Sequence, residues 1–156
     1  MTHAQARALV DRAIAKTREF DRATAFVVVD AGGNVVSAAS MDGAPPAAIV
    51  LARAKAYLAA MDHAPTAYRA DRWNRRTVMY HAYASCFATP IFPGAGGLPI
   101  ARDGTMVGAI ATGPGVGGIE VEIPGYEGPV ILEDFLVAYA IDVPYLSRRE
   151  LVGHAP

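Results

Sequence analysis

Leu98-Pro99-Ile100-Ala101-Arg102-Asp103-Gly104-Thr105-Met106-Val107-Gly108-Ala109-Ile110-Ala111-Thr112 is the most informative segment of the chain. Its two runs, 98–102 and 105–112, flank Asp103-Gly104. A two-residue turn of that composition takes positive φ at both central positions and closes a tight hairpin. The same form occurs upstream, where Thr24 to Asp30 and Val35 to Ser40 lie on either side of Ala31-Gly32-Gly33-Asn34. Both runs are rich in residues that suit a pleated surface, so a second hairpin is expected. Hairpins separated by helical segments indicate an α+β fold, with an antiparallel sheet built from two hairpins and helices packed on it. A doubly wound parallel sheet would instead show single strands alternating with helices.

The helices follow from periodicity. Thr2 and Gln5 form a capping-box pair, and Ala6, Leu9, Val10, Ala13, Ile14 and Thr17 recur at three- and four-residue spacing, predicting a helix that ends near Phe20. Pro46 suits the first turn of an Ala-rich helix that reaches Met61. A break at His63-Ala64-Pro65-Thr66 leads into a polar helical stretch. From Arg75 to Cys86 the residues Val78, Met79, Ala82, Tyr83 and Cys86 mark an apolar stripe, which makes Cys86 a small core residue. Glycine and proline suppress regular structure from Pro90 to Gly97 and from Gly113 to Gly118. Ile119 to Ile123 alternates like a short strand, and Ile131 to Ile141 reads as the last helix.

At 156 residues, with 53% hydrophobic and 19% charged positions, the chain reads as one domain, 1–156, with a core large enough to need no disulfide. A formal net charge of −1 with no long block of like charge disfavours nucleic acid as a partner. Cys86 is the only cysteine, no run approaches ~18 apolar residues, and the N-terminus lacks a basic segment followed by an apolar core. A cytoplasmic protein without membrane contact is the expectation. No phosphate-cradling loop with its Lys-Ser/Thr ending, dinucleotide fingerprint, zinc cysteine cluster or Ser-His-Asp order occurs, so no metal is expected.

Several short motifs, in order, resemble the GlcG/HbpS family, also met as the C-terminal domain of PduO-type proteins. They are Val28-Val29-Asp30-Ala31-Gly32-Gly33, Met41-Asp42-Gly43-Ala44, Ala52-Arg53-Ala54-Lys55-Ala56, Gly96-Gly97-Leu98-Pro99-Ile100 and Gly104-Thr105-Met106-Val107-Gly108-Ala109-Ile110, with a further match at Leu132-Glu133-Asp134-Phe135. The resemblance implies a profilin-like sheet, a homo-oligomer, and a link to haem or corrinoid binding. Against that family pattern, residues 115–130 look inserted, and Tyr68 to Phe87 is enriched in Arg, Tyr and Trp.

Candidate site residues fall into four groups. Arg69, Arg72, Arg75 and Arg76, interleaved with Tyr68, Trp73, Tyr80 and Tyr83, suit bidentate capture of carboxylates, as on haem or a related anionic planar ligand. The bland reading is a solvated helix face whose arginines pair with Asp62, Asp71 or a neighbouring subunit. His63 and His81 could ligate haem iron or act as a base, or could be a helix cap and a satisfied side chain. Lys55 lies on an apolar helix, where an ammonium needs a partner, with Asp30 and Asp42 nearest by motif, or else reaches water along its own stem. Glu120 and Glu122 share one face of the short strand, either as paired carboxylates or as charges that guard a sheet edge.

Two main functions are consistent with these groups. One is a homo-oligomeric binding protein whose pocket draws on the arginines, Lys55, His63 and His81. The other is a cofactor-independent lyase, isomerase or hydrolase acting on a small aromatic carboxylate, in which His81, Tyr80 or Glu120 moves the proton.

Overall fold

The computed structural model describes residues 1–147 and 150. Helix α1 (His3–Arg18) opens on Thr2, whose Oγ1 accepts the Gln5 backbone N–H at 3.2 Å, while Gln5 Oε1 accepts the Thr2 N–H at 3.0 Å. This reciprocal box satisfies two donors that a helix start otherwise leaves free. The first hairpin follows as β1 (Ala25–Asp30) and β2 (Val35–Ser40). Its turn is held by Asp30, whose Oδ1 accepts the backbone N–H groups of Gly32 and Asn34, each at 2.9 Å. The Asn34 backbone N–H, with further help from the Asn34 side chain and Gly32, keeps the Asp30 carboxyl below its ordinary range against the opposing effect of burial.

The second hairpin is β3 (Gly97–Arg102) and β4 (Thr105–Thr112), and its turn has Asp103 at φ +49° and Gly104 at φ +74°, as the Asp-Gly pair predicts. The hairpins join through antiparallel β1–β4 pairing, from Phe26 opposite Thr112 to Asp30 opposite Gly108, giving the strand order β2-β1-β4-β3. At the Gly108 position a β-carbon would fall 2.1 Å from the Val29 carbonyl oxygen, so only glycine fits this crossing. The fold is the expected α+β arrangement of two hairpins in one antiparallel sheet.

Side-chain alternation divides the core between the two faces of the sheet. Phe26, Val28, Ile100 and Ile110 meet α1 and α5 (Leu132–Ala140) through Ala6, Val10, Leu132 and Leu136. Val27, Val29, Ala109 and Ala111 meet α2 (Ala48–Asp62) through Ala52, Ala56, Ala59 and Ala60. Alanine on both sides of the second contact lets α2 lie close to the sheet. The approach is so near at one end that a β-carbon on Gly113 would stand 2.1 Å from the Ala48 carbonyl oxygen. Pro45 and Pro46 precede α2, so Pro46 lies just outside the first turn where the sequence placed it.

Helices α3 (Thr66–Asn74) and α4 (Thr77–Ala84) pack on α2 through a third, mainly aromatic cluster of Leu58, Trp73, Ile91, Tyr57, Tyr80, Tyr83 and Phe87. The expected apolar stripe on α4 is corrected here: Val78 is 81% and Met79 62% exposed, and Cys86 is exposed as well. Of that stripe Tyr83 does dock, packing with Tyr80 against Trp73, while Val78 and Met79 face outward. The alternating segment 119–123 contributes only β5 (Glu120–Val121), paired with β6 (Val130–Ile131). Ile119, Val121 and Ile123 lean on the α1/α5 core, while Glu120 and Glu122 are exposed.

Because α2 depends on small side chains, Ala56→Leu is expected to destabilise the protein by about 1–3 kcal/mol through overpacking. The exposed change Val50→Ala should shift stability by less than about 0.5 kcal/mol. Urea unfolding of both variants measures the contrast; equal effects would contradict close packing.

Candidate functional site

Two constellations gather the polar residues of the helical layers. The first lies inside the protein. Lys55 Nζ meets Glu133 Oε2 at 3.1 Å, with the two side chains only 5% and 10% exposed. This corrects the expectation that Lys55 turns to Asp30 or Asp42, or escapes to water: its partner comes from the first turn of α5. There the helix N-terminus favours the charges of Glu133 and Asp134. Around the pair runs the glycine loop 94–97. Asp134 Oδ1 accepts the Gly96 N–H at 2.6 Å, the Thr112 N–H donates to the Gly96 carbonyl at 2.8 Å, and the Thr66 hydroxyl donates to the Gly94 carbonyl. Gly96 has φ +91°, and a β-carbon there would lie 2.7 Å from the Thr112 methyl and 3.1 Å from Glu133 Cβ. The loop is therefore clamped from α3, β4 and α5 at once.

The second constellation covers α3 and α4. Arg69 Nε lies 2.5 Å from the buried Oδ2 of Asp62, in an ion pair whose angles are not those of a hydrogen bond. The Tyr83 hydroxyl donates to the other carboxylate oxygen. Partial burial, and then the bond to the Asp62 carboxylate, push the Tyr83 phenol up to about 12. Arg69 is thereby engaged in tying α2 to the two following helices. Arg72, Arg75 and Arg76, with Tyr68 and Asp71, border a surface depression of about 280 Å³. Their spacing brings them to one side of α3 and its C-terminal turn. Among the described residues, none of these three guanidinium groups enters an ion pair.

The remaining candidates are dispersed. His63 is the exposed C-cap of α2 at φ +52°. His81 is exposed on α4, its ring 5.4 Å from that of Tyr80. Glu120 lies on β5, and among the described residues no hydrogen bond or ion pair joins it to His81 or Tyr80. The pairing of Arg69 with Asp62 is one that the sequence offered under its solvated-face reading, whereas Glu133 and Asp134 were not singled out for their chemistry. The available signal was a pair of acids inside the otherwise apolar run 132–138, facing a lysine on an apolar helix that needs a counter-charge. No group of three or more His, Cys, Asp or Glu placed to hold a metal occurs among the described residues, and no described helix is long and apolar enough to cross a membrane.

The family model described as "Haem degrading protein HbpS-like" matches residues 1–122, and the chain belongs to that family. The match ends within the segment 115–130. Among solved structures, a double mutant of HbpS from Streptomyces reticuli aligns with a TM-score of 0.74 at 22% identity, covering 91% of this chain and 85% of that one. The ORFY protein of Klebsiella pneumoniae aligns at 0.73 and 22%, covering 91% and 88%. A PduOC:heme complex aligns at 0.72 and 18%, covering 91% and 93%. At these identities the likeness concerns the fold. No curated protein matches the sequence.

Removing one member of the inner pair strands a buried charge, so Lys55→Met is expected to cost about 3–5 kcal/mol. The double variant Lys55→Met with Glu133→Leu should recover most of that loss, and a double variant as unstable as the single one would refute the pairing. The raised Tyr83 phenol implies that its stabilising contribution is complete below pH 10 and is lost as pH rises toward about 12. Chemical unfolding across that window should show the decline in the parent protein. Tyr83→Phe should lack that component.

Proposed function

We propose that this protein is a homo-oligomeric small-molecule-binding protein whose ligand is haem or a related anionic planar molecule. The carrying observation is the arginine depression: Arg72, Arg75 and Arg76 stand together without ion pairs among the described residues, beside the ring of Tyr68. Guanidinium groups in such a cluster suit carboxylates, and haem carries two propionates beside a flat apolar ring. Membership of a family described as haem-degrading supports the ligand class, and so does the haem complex of PduOC. In this reading Arg69 acts behind the site, and Lys55 lies beside the glycine loop, paired with Glu133. We assign the approach to a bound iron to His81, because it is exposed on α4 next to Tyr80 whereas His63 caps α2. The enzymatic alternative, with His81, Tyr80 and Glu120 sharing proton transfer, draws less support because Glu120 stands on a different element.

Haem titration followed by absorbance tests the reading. A saturable Soret shift is expected. The triple change Arg72→Ala, Arg75→Ala, Arg76→Ala should weaken binding by at least about tenfold, since hydrogen bonds to charged groups contribute about 1.5–3 kcal/mol each. His81→Ala should move the Soret maximum of the bound form. A parent protein with no saturable shift, or a triple variant that binds as the parent does, would rule out this site.

A further inference from the structure

The two edges of the sheet differ in how they are protected. At the β3 edge, the Thr112 N–H bond to the Gly96 carbonyl sets the alternation, so Pro99 has its ring nitrogen on the outer side, where a donor would otherwise be offered. That strand is also bulged between Ile100 and Ala101 and ends in Arg102. These are standard devices against edge-to-edge pairing. The β2 edge is Val35-Val36-Ser37-Ala38-Ala39-Ser40, without proline, glycine or charge. Its one irregularity is at the start: Val28 pairs with Ser37 and Val29 with Val35, leaving Val36 as the extra residue and 37–40 regular. The Met41 N–H donates to the Thr24 carbonyl at 2.9 Å, so Ala39 and Ser37 turn their backbone groups toward β1. Ala38 and Ser40 therefore turn their N–H and C=O groups outward, and among the described residues no strand pairs with them.

Beside this edge, α1 and β2 enclose a groove of about 430 Å³ that His3, Arg7 and Asp11 line from the helix. Arg7 and Asp11 form an exposed i, i+4 pair at 3.6 Å. Their order makes the surface self-complementary. A two-fold axis perpendicular to the sheet at β2 would set two β2 strands antiparallel and place the two α1 helices side by side and antiparallel. Arg7 of each copy would then face Asp11 of the other, which is the reciprocity that an isologous contact requires.

We propose that β2 is the contact through which a second copy of this chain adds to the sheet, making one eight-stranded antiparallel sheet across a two-fold axis, with the Arg7 and Asp11 charges exchanged between the α1 helices. The inference rests on the self-association proposed above and names its surface. Each copy would satisfy the outward backbone groups of the other at Ala38 and Ser40, and small side chains along 37–40 let the strands approach without a clash.

The test is particle mass, by sedimentation velocity and native mass spectrometry, for the parent and for Ala38→Pro, Ala38→Lys and Ala38→Glu. A proline at 38 removes only an outward N–H, so the fold should be retained, as circular dichroism and the unfolding midpoint would show. The expected result is a parent assembly and variants of half its mass. An equimolar mixture of the Lys and Glu variants should regain the parent mass. Variants that are folded and keep the parent mass would overturn this inference while leaving self-association standing. A monomeric parent would overturn both. A monomeric parent that binds an unrelated extended peptide, and loses it on Ala38→Pro, would replace the second copy with a peptide strand.

Discussion

The rest of the architecture depends on how closely α2 approaches the centre of the sheet. Val27 and Val29 of β1, with Ala109 and Ala111 of β4, offer a shallow surface, and Ala52, Ala56, Ala59 and Ala60 of α2 settle onto it. The cost of so small a contact is that little apolar area is buried per residue. The larger side chains are accordingly found on the opposite face, where Phe26, Ile110, Leu132 and Leu136 pack against α1 and α5. The β1–β4 pairing joins the two halves, and Gly108 lets those strands meet.

With α2 held so near the sheet, Lys55 has no route to water and must be neutralised inside the protein. Glu133 does so from α5, which packs against the opposite face of the sheet. A single ion pair thus connects the two helical layers past the end of the strands. An ion pair of this kind contributes less to stability than to uniqueness, since an apolar pair of similar volume can do as well energetically while specifying less. Beside the pair, Asp134, Thr66 and Thr112 hold the glycine loop between α4 and β3.

Much of the fold was legible because its signals are local. The Asp103-Gly104 turn, the Thr2/Gln5 cap and the period-two runs of β1 and β4 each carry their own explanation within a few residues. The α4 stripe was misread because Val78, Met79 and Cys86 have the right spacing, whereas burial there is decided by rings that find Trp73 and Leu58. The helix spacing of the arginines is visible in the sequence. That Arg69 is engaged by Asp62 while Arg72, Arg75 and Arg76 surround a depression is a tertiary outcome. The partnership of Lys55 with Glu133 spans 78 positions, and no local pattern encodes such a separation.

The helices that carry the arginines are joined to the rest by a hydrophobic cluster of their own and by the polar node of Asp62, Arg69 and Tyr83. Neither of the two sheet cores includes a residue from α3 or α4. A subassembly held this way is expected to open at a free energy below that of global unfolding. Amide exchange in α3 and α4 would then proceed by an opening that leaves β1 and β4 protected. A molecule seated on Arg72, Arg75 and Arg76 would be linked to that opening, its binding energy partly spent in closing the unit and its residence time governed by how often the unit opens.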